Sequence, residues 1–296
     1  MKITKVINNN VVSSTDEAGN EVILMGTGLG FKGKEGKVVD ESKIQKIFHL
    51  EDAGVSQRFK ELITDLPMEL LNTCSNIIMY AKGILDTKLN ENIYITLTDH
   101  INFALQRMEQ DMMYPNPLSR EVKTFYDLEY KIGEYALGIV EKDLGVRLPK
   151  DEAVSIALHV VSAEYDTKVW DTVQITTFIK NVIDKVKDYF QMELTETSLN
   201  YERFITHLKF LSRKVMSGGG MDEIEPELRK MISAMYPDEY QCSREIAEYI
   251  KKEYRREMSE GEIVYLTMHI ERIKSSNQTK NINNFSELDK SNSNAD

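Results

Sequence analysis

Cysteines and long apolar runs are scarce in this chain. Its 296 residues include only two cysteines, Cys74 and Cys242, which excludes a disulfide-rich scaffold and favours a reducing compartment. No apolar run approaches the ~18 residues of a membrane span, and the N-terminal segment MKITKVINNN has no apolar signal core. We therefore expect a cytoplasmic protein without membrane insertion.

Basic residues are also fewer than acidic residues, although the balance differs along the chain. The formal net charge is −11, yet residues 1–50 carry +1 and the remainder carries −12. An acidic balance argues against a nucleic-acid partner for most of the chain, whereas the first fifty residues can still approach a phosphate backbone. A hydrophobic fraction of 41% is typical of globular proteins, and the length suffices for two or three domains.

Short β-branched runs separated by turn residues occupy the first fifty residues. The runs are 3–7, 11–12, 22–25 and 38–39, and a glycine-rich loop begins at residue 26. This pattern predicts a small antiparallel sheet, which needs a partner copy or a following domain to bury its core. The loop also fits the dinucleotide pattern Gly28-x-Gly30-x-x-Gly33, but no helix follows it, so a hairpin turn is favoured over a nucleotide site.

The sequence from residue 66 to residue 273 is helical in character and repeats itself. Apolar residues recur at three- and four-residue spacing, which is typical of packed helices. The segment 99–105 resembles 206–212, and 152–159 resembles 262–269. We therefore predict two similar helical domains of roughly a hundred residues, joined near residues 167–176. The remaining residues, 276–296, are mostly polar and predict a disordered tail.

Four of the five histidines occupy corresponding places in the two repeats: His100 with His207, and His159 with His269. They could be core or capping histidines, or metal ligands, since neutral imidazole binds metals. Neither pair has the i, i+4 spacing of a helical zinc motif, and no cluster of cysteines or carboxylates accompanies them. Because imidazole nitrogen is a good nucleophile at neutral pH, phosphoryl transfer is the favoured interpretation.

The segment Met1–Asn10, the Met25–Phe31 loop and the two histidine-bearing repeats together resemble the BglG/LicT family of bacterial transcriptional antiterminators. The resemblance implies a multidomain protein. A small all-β N-terminal domain, with a four-stranded antiparallel sheet that dimerises, precedes two homologous all-α helical-bundle domains. The expected boundaries are 1–57 for a co-antiterminator (CAT) RNA-binding domain, 66–170 and 171–275 for two regulation domains of the sugar phosphotransferase system (PRD1 and PRD2), and 276–296 for the tail.

The residues of the N-terminal domain suit contact with unpaired RNA. Asparagine can hydrogen-bond base edges, phenylalanine can stack on a base, and lysine meets phosphate. The candidates from residue chemistry and from the resemblance together are Lys5, Asn8, Asn10, Gly26, Thr27, Phe31 and Lys32. Thr27 departs from the family, which often has arginine there. Little binding to duplex DNA is expected.

The resemblance also implies how such a protein is regulated. Binding to an antiterminator hairpin in the leader of a sugar-utilisation transcript, with aryl-β-glucosides or β-glucans as the inducing sugars, prevents the terminator from forming. A sugar-specific permease would phosphorylate His100 and His159 and inactivate the protein. The carrier HPr would phosphorylate His207 and His269 and favour the active homodimer. No catalytic residue, cofactor or metal is implied.

Charged neighbours of the histidines are candidates for supporting roles. Asp99 adjoins His100, and its carboxylate could orient the imidazole, oppose a phosphorylated neighbour, or be solvated without a role. Thr206 holds the corresponding position beside His207. Arg203, Arg213 and Arg272 are candidate phosphate partners, although ordinary exposed helix charges are an alternative for them.

Two other classes of protein remain as alternatives. A histidine phosphotransfer protein would relay phosphate onward to an acceptor. A DNA-binding regulator with the same sugar-sensing domains would carry an N-terminal helix-turn-helix, which the strand-like first fifty residues argue against.

Overall fold

A computed structural model describes the backbone of residues 1–49, 52–112, 114–217 and 224–292, with side chains to residue 277. Two compact units divide the chain, Met1–Thr172 and Val173–Asp296. Within the described residues, none of the helices combines the length and the apolar character that a bilayer crossing requires.

The first unit begins with a four-stranded antiparallel sheet in the order β1-β2-β3-β4. Its strands are β1 (Ile3–Val6), β2 (Val11–Thr15), β3 (Glu21–Met25) and β4 (Lys46–His49). The register pairs Val12 with Leu24 and Leu24 with Ile47. The fourth strand is not the predicted run at 38–39, because Val38 forms only an isolated bridge to Lys2 at the sheet edge.

Both faces of the sheet are covered, each by a different part of the same unit. Val11, Ile23, Met25 and Phe48 on one face pack against helices, in a cluster that includes Phe59. The opposite face packs beneath the glycine loop and the segment after it, through Ile3, Val12, Val22, Leu24, Leu29 and Val39. Successive side chains of a strand point to opposite faces of the sheet. Residues on both faces are therefore buried, as expected for a sheet between two layers.

Over its described residues, the first unit also contains six α-helices, which follow a short 3-10 helix at Glu41–Lys43. They are α1 (Ala53–Leu62), α2 (Met68–Ile84), α3 (Ile93–Glu109), α4 (Ser119–Phe125), α5 (Asp127–Leu144) and α6 (Asp151–Glu164). Helix α1 begins thirteen residues before the predicted helical zone, where Asp52 accepts a hydrogen bond from the Val55 N–H as an N-cap. Apolar residues of α2, α3, α5 and α6 form one core that includes Ile77, Leu97 and Ile156.

The second unit is entirely helical over its described residues. Its helices are α7 (Val169–Phe190), which starts just before the unit boundary, α8 (Leu199–Ser217), α9 (Pro226–Met235), α10 (Pro237–Tyr254) and α11 (Glu260–Asn292). Phe178 and Phe204 are among its fully buried side chains. Together with the sheet of the first unit, these helices confirm the predicted fold class of a small β domain followed by helical domains.

The C-terminal segment differs from the predicted disordered tail. Helix α11 continues through Asn292, while residues 293–296 lie outside the described residues. Near the start of this segment, the buried side chain of Asn277 accepts a hydrogen bond from the Thr195 N–H at 3.0 Å and donates one to the Glu193 carbonyl at 2.5 Å. A polar side chain thus anchors the helix where apolar spacing has ended.

Candidate functional sites

The glycine loop is held by backbone hydrogen bonds to the β1–β2 turn. The N–H of Gly26 donates to the Asn10 carbonyl at 2.9 Å, and the N–H of Gly30 donates to the Asn9 carbonyl at 2.9 Å. The side chain of Asn10 takes part as well, because its Oδ1 accepts from the Gly28 N–H at 2.9 Å. The two segments therefore form one ordered corner of the sheet.

Two glycines in this corner are required by close backbone approach. A Cβ atom at Gly26 would lie 1.8 Å from the Lys43 carbonyl oxygen, and one at Gly30 would lie 2.1 Å from the Asn8 carbonyl oxygen. Any side chain would push the loop off the turn. Gly26, predicted as an RNA contact, therefore has a structural role whether or not its backbone meets a ligand.

The exposed part of the corner carries the chemistry predicted for RNA contact. The Phe31 ring is 60% exposed, and the Lys32 ammonium lies 5.6 Å from its centroid. Lys32 adopts a left-handed backbone conformation with φ 52°. Lys5 and Thr27 are exposed, and Thr27 Oγ1 accepts a hydrogen bond from the Gln45 side chain at 3.3 Å. The corner thus presents a free aromatic face next to a cation.

Asn8 differs from the other predicted RNA contacts because its carboxamide is already used inside the unit. Its Nδ2 donates to the carbonyls of Ile63 at 2.9 Å and Thr64 at 3.3 Å, just after α1. Its Oδ1 accepts from the Asn10 N–H at 2.8 Å. Both donor hydrogens are committed, so Asn8 ties the turn to the end of α1 rather than offering donors to a base.

The first histidine pair lies between α3 and α6. The rings of His100 and His159 have centroids 4.8 Å apart. Glu152 Oε2 lies 2.9 Å from His100 Nε2, and Glu152 Oε1 accepts from the Arg107 guanidinium at 2.5 Å. The Arg107 guanidinium also lies over the exposed Phe103 ring, 4.9 Å from its centroid. One carboxylate therefore connects a histidine to an arginine.

Burial controls the protonation of this pair. Burial, reinforced by the neighbouring His100, lowers the pKa of His159 to about 3, and its Nδ1 is buried without a hydrogen-bond partner. Burial alone would raise the pKa of Glu152, but its hydrogen bond with His100 and the nearby charges of His100 and Arg107 hold that pKa below its usual range. At neutral pH the site contains a carboxylate and a neutral, nucleophilic His159.

Asp99 does not take the predicted role of orienting His100. Its side chain is exposed, and the carboxylate that contacts His100 belongs to Glu152 on the facing helix. Adjacent residues on a helix point about 100° apart, so a neighbour in sequence rarely contacts the same group. Glu152 is the first residue of the segment 152–159, whose resemblance to 262–269 was the sequence signal that contained it.

The second histidine pair lies between α8 and α11 and is more tightly stacked. The His207 and His269 centroids are 4.7 Å apart with the planes 11° from parallel, and the Tyr265 ring lies beside both. Glu262, which corresponds to Glu152, accepts instead from Lys214 Nζ at 2.6 Å. His207 Nε2 is buried without a hydrogen-bond partner. The second site therefore keeps the carboxylate–cation pair of the first, with Lys214 in the place of Arg107, but His207 Nε2 lacks the carboxylate contact that His100 Nε2 has.

A cleft of about 790 Å³ opens onto this pair. Besides the two histidines it is lined by charged and aromatic side chains, which include Glu202, Arg203, Phe210, Lys214, Tyr265 and Arg272. Burial, together with the charges of Arg272 and Arg203, lowers the pKa of His269 to about 4. Burial, followed by His269 and Lys214, lowers the pKa of His207 to about 3. Both rings are therefore neutral at pH 7.

Arg213, also predicted as a phosphate partner, is not among the residues that line this cleft. It lies on α8 with Arg203, and its side chain is half-buried. Across the described residues, no group of three or more His, Cys, Asp or Glu side chains has an arrangement that could hold a metal ion.

Comparison with known proteins agrees with the geometry of both regions. Residues 1–57 match the CAT RNA binding domain family, and residues 75–163 and 180–273 each match the PRD domain family. Transcription antiterminator LicT of Bacillus subtilis (strain 168) is 43% identical, over 92% of this chain and 99% of that protein. The Beta-glucoside operon antiterminator of Dickeya chrysanthemi is 37% identical, over 93% of this chain and 97% of that protein.

A solved structure also matches the N-terminal part. The structure of the LicT bacterial antiterminator protein in complex with its RNA target is 52% identical over 18% of this chain and 98% of that chain, with a TM-score of 0.18. The matches along nearly the whole chain confirm the resemblance drawn from the glycine loop and the paired histidines. The chain belongs to the LicT and BglG family of transcription antiterminators, with a CAT RNA-binding domain followed by two PRD domains.

Proposed function

We propose that this protein binds a looped RNA hairpin in the leader of a sugar-utilisation transcript and so prevents formation of an overlapping terminator. The proposal rests above all on the ordered corner of the sheet, where the exposed Phe31 ring stands beside Lys32. An aromatic face that is already free can stack on an unpaired base without rearrangement. No bond is made or broken, because differential affinity for one RNA fold shifts the population.

Shape and stacking carry more of this binding than counterion release. The first fifty residues have a net charge of only +1, so few phosphates are neutralised. The contacts that we assign are Phe31 for stacking, Lys5 and Lys32 for phosphate, and Asn10 for a base edge. The side-chain oxygen of Asn10 accepts a hydrogen bond from the Gly28 N–H. This bond orients the side-chain nitrogen, which we assign to the base edge. Asn8 is assigned to the turn instead.

The experiment is a titration of the full-length protein with a fluorescent antiterminator hairpin and with an RNA duplex of matched length at fixed salt. Hairpin-selective binding is expected. Phe31→Ala should weaken hairpin binding about tenfold or more, since one stacked base contributes ~1–3 kcal/mol. Lys34→Ala, an exposed change in the same loop region, is the matched control. Equal affinity for hairpin and duplex would overturn the proposal.

The PRD domains supply the regulation in this proposal. Phosphorylation of His100 and His159 by a sugar-specific permease inactivates the protein, and phosphorylation of His207 and His269 by HPr favours an active homodimer. The neutral imidazoles of His159, His207 and His269 support this role, because an unprotonated nitrogen is needed to accept a phosphoryl group. Similarity to an antiterminator named for β-glucosides favours that class of inducing sugar.

Read-through of a leader–reporter transcript tests this regulation. Alanine variants at His100 or His159 are expected to read through without the inducing sugar. Variants at His207 or His269 are expected to lose activity. Wild-type behaviour of all four variants would contradict regulation through these histidines while leaving the RNA-binding function intact.

A further inference from the structure

The two histidine sites correspond residue by residue, yet they differ in charge. Arg107, Glu152 and Phe103 of the first site correspond to Lys214, Glu262 and Phe210 of the second. Two positions near the second pair have no charged counterpart in the first. Arg203 corresponds to Thr96, and Arg272 corresponds to Ser162.

These two arginines have no assigned task in the second unit. Both are exposed and line the cleft that opens onto His207 and His269. Within the described part of the chain, neither guanidinium group makes a hydrogen bond or an ion pair, since Asn200 contacts only the backbone carbonyl of Arg272. They are therefore available to a ligand.

The other charged residues of the cleft leave it cationic. Lys214 and Glu262 neutralise each other through their 2.6 Å ion pair. The negative charge of Glu202 offsets the positive charge of one arginine, so the residues that line the cleft carry a net positive charge. The field of both arginines reaches His269, because their charges contribute to its lowered pKa. A dianion attached to that ring would meet two guanidinium groups with free donors.

We propose that Arg203 and Arg272 are positioning residues that bind the phosphoryl group on His269 and thereby make the second domain the more persistent carrier of phosphate. This inference rests on the proposed function in one respect, namely that the second domain accepts phosphate. Its new element is the pair of residues, Arg203 and Arg272, that retain the phosphoryl group. It also predicts that the first site, with Thr96 and Ser162 in these places, holds phosphate less firmly.

The transfer itself needs no additional reactant. The lone pair of the neutral His269 nitrogen attacks the phosphorus of phosphohistidine on HPr, and the donor P–N bond breaks. The bonding pair returns to the donor nitrogen, so the donor phosphoimidazolium becomes neutral imidazole while His269 becomes a phosphoimidazolium. The arginines form charge-assisted hydrogen bonds to the phosphoryl oxygens and so shift this equilibrium toward His269.

The test measures that equilibrium in the full-length protein. HPr is phosphorylated from phosphoenolpyruvate by enzyme I and mixed with the chain, and mass spectrometry of peptides gives the phosphorylated fraction at each histidine. For the double variant Arg203→Gln/Arg272→Gln, the equilibrium constant for transfer to His269 should fall about tenfold. Arg203→Lys/Arg272→Lys should recover part of it, since the charge returns without the planar fork.

Arg213→Gln is the matched control, because it removes an arginine from the same helix but not from the cleft. Its equilibrium constant should equal that of the wild type, and thermal unfolding should show all variants folded. Phosphate that reaches His269 equally well in the double glutamine variant would overturn this inference alone. If phosphate never reaches His269 in the wild type, the proposed regulation and this inference both fail.

Discussion

Glu152 is the single side chain on which the first histidine site most depends. Its two oxygens accept from Arg107 and contact His100 at the junction of α3 and α6. We expect Glu152→Gln to lower the free energy of unfolding by ~1–3 kcal/mol, because a partly buried charged network loses its anion. Glu134→Gln, an exposed change on α5, should have little effect in the same urea titration.

The buried histidines make stability depend on pH. The folded pKa values of His159 and His207 are about 3, and that of His269 is about 4, all below the ordinary value of 6.5. Between these values the unfolded chain binds protons that the folded chain does not, so stability falls as the pH drops below ~6.5. Lowering the pH from 7 to 5 should cost about 2 kcal/mol for His159 alone.

Urea titrations at the two pH values test this expectation. His159→Leu should flatten the dependence, because leucine fills the buried site without a proton to gain. A wild-type stability that is equal at pH 5 and pH 7 would contradict the buried neutral state.

The sequence predicted which histidines correspond between the two repeats, but not which of them lie side by side or what they touch. The repeats place His100 with His159 only through three-dimensional packing of α3 on α6, and the same packing selects Glu152 over Asp99. Asn8 likewise has the same chemistry as Asn10, and only the position of α1 assigns it to the turn. Which of two chemically similar residues makes a contact depends on the direction of its side chain in the folded protein, and the residue type alone does not give that direction.

Among the elements, α5 and α6 pack most closely, and one glycine permits it. A Cβ atom at Gly133 would lie 2.2 Å from the Ala153 carbonyl oxygen, whereas one at Gly138 on the same helix would meet nothing within 4 Å. We expect Gly133→Ala to destabilise the protein by ~1–3 kcal/mol by separating the helices. Gly138→Ala should stabilise it by ~0.5–1 kcal/mol through helix propensity. Thermal unfolding of the pair should show shifts of opposite sign.

The elements themselves were predicted unevenly. The sheet was predicted from β-branched runs between turn residues, and the helical repeats from three- and four-residue apolar spacing, which reflects burial directly. Helix α1 was missed because its sequence, AGVSQRFKEL, has few apolar positions, and it forms a buried face only through residues such as Val55 and Phe59 against the sheet. The continuation of α11 was missed because Asn277 is polar and still buried.

For the whole molecule, the position of α1 means that an isolated RNA-binding fragment, residues 1–57, would lose part of the cover on one face of its sheet. A chain ending at residue 57 lacks Phe59, which covers Phe48 with ring centroids 5.1 Å apart. The uncovered face contains Val11, Ile23 and Met25, so we expect the fragment 1–57 to be a dimer that buries this face. Sedimentation should show twice the monomer mass.

Phe48→Asp in the same fragment should give a monomer or an unfolded chain, since a charge then replaces a core ring. Val38→Asp changes an exposed apolar residue outside that face and serves as the control, because Val38 is 66% exposed. A fragment that is monomeric and folded without α1 would contradict this view of the sheet.

The two cysteines allow the opening of each domain to be measured separately. Cys74 lies in α2 of the first unit and Cys242 in α10 of the second, and each is 1% exposed. Burial raises the pKa of both thiols to about 12, so neither reacts with an alkylating agent while its domain is closed. The alkylation rate of each thiol then counts how often its own domain opens. Phosphorylation or RNA that tightens one domain and not the other would slow only one of the two rates.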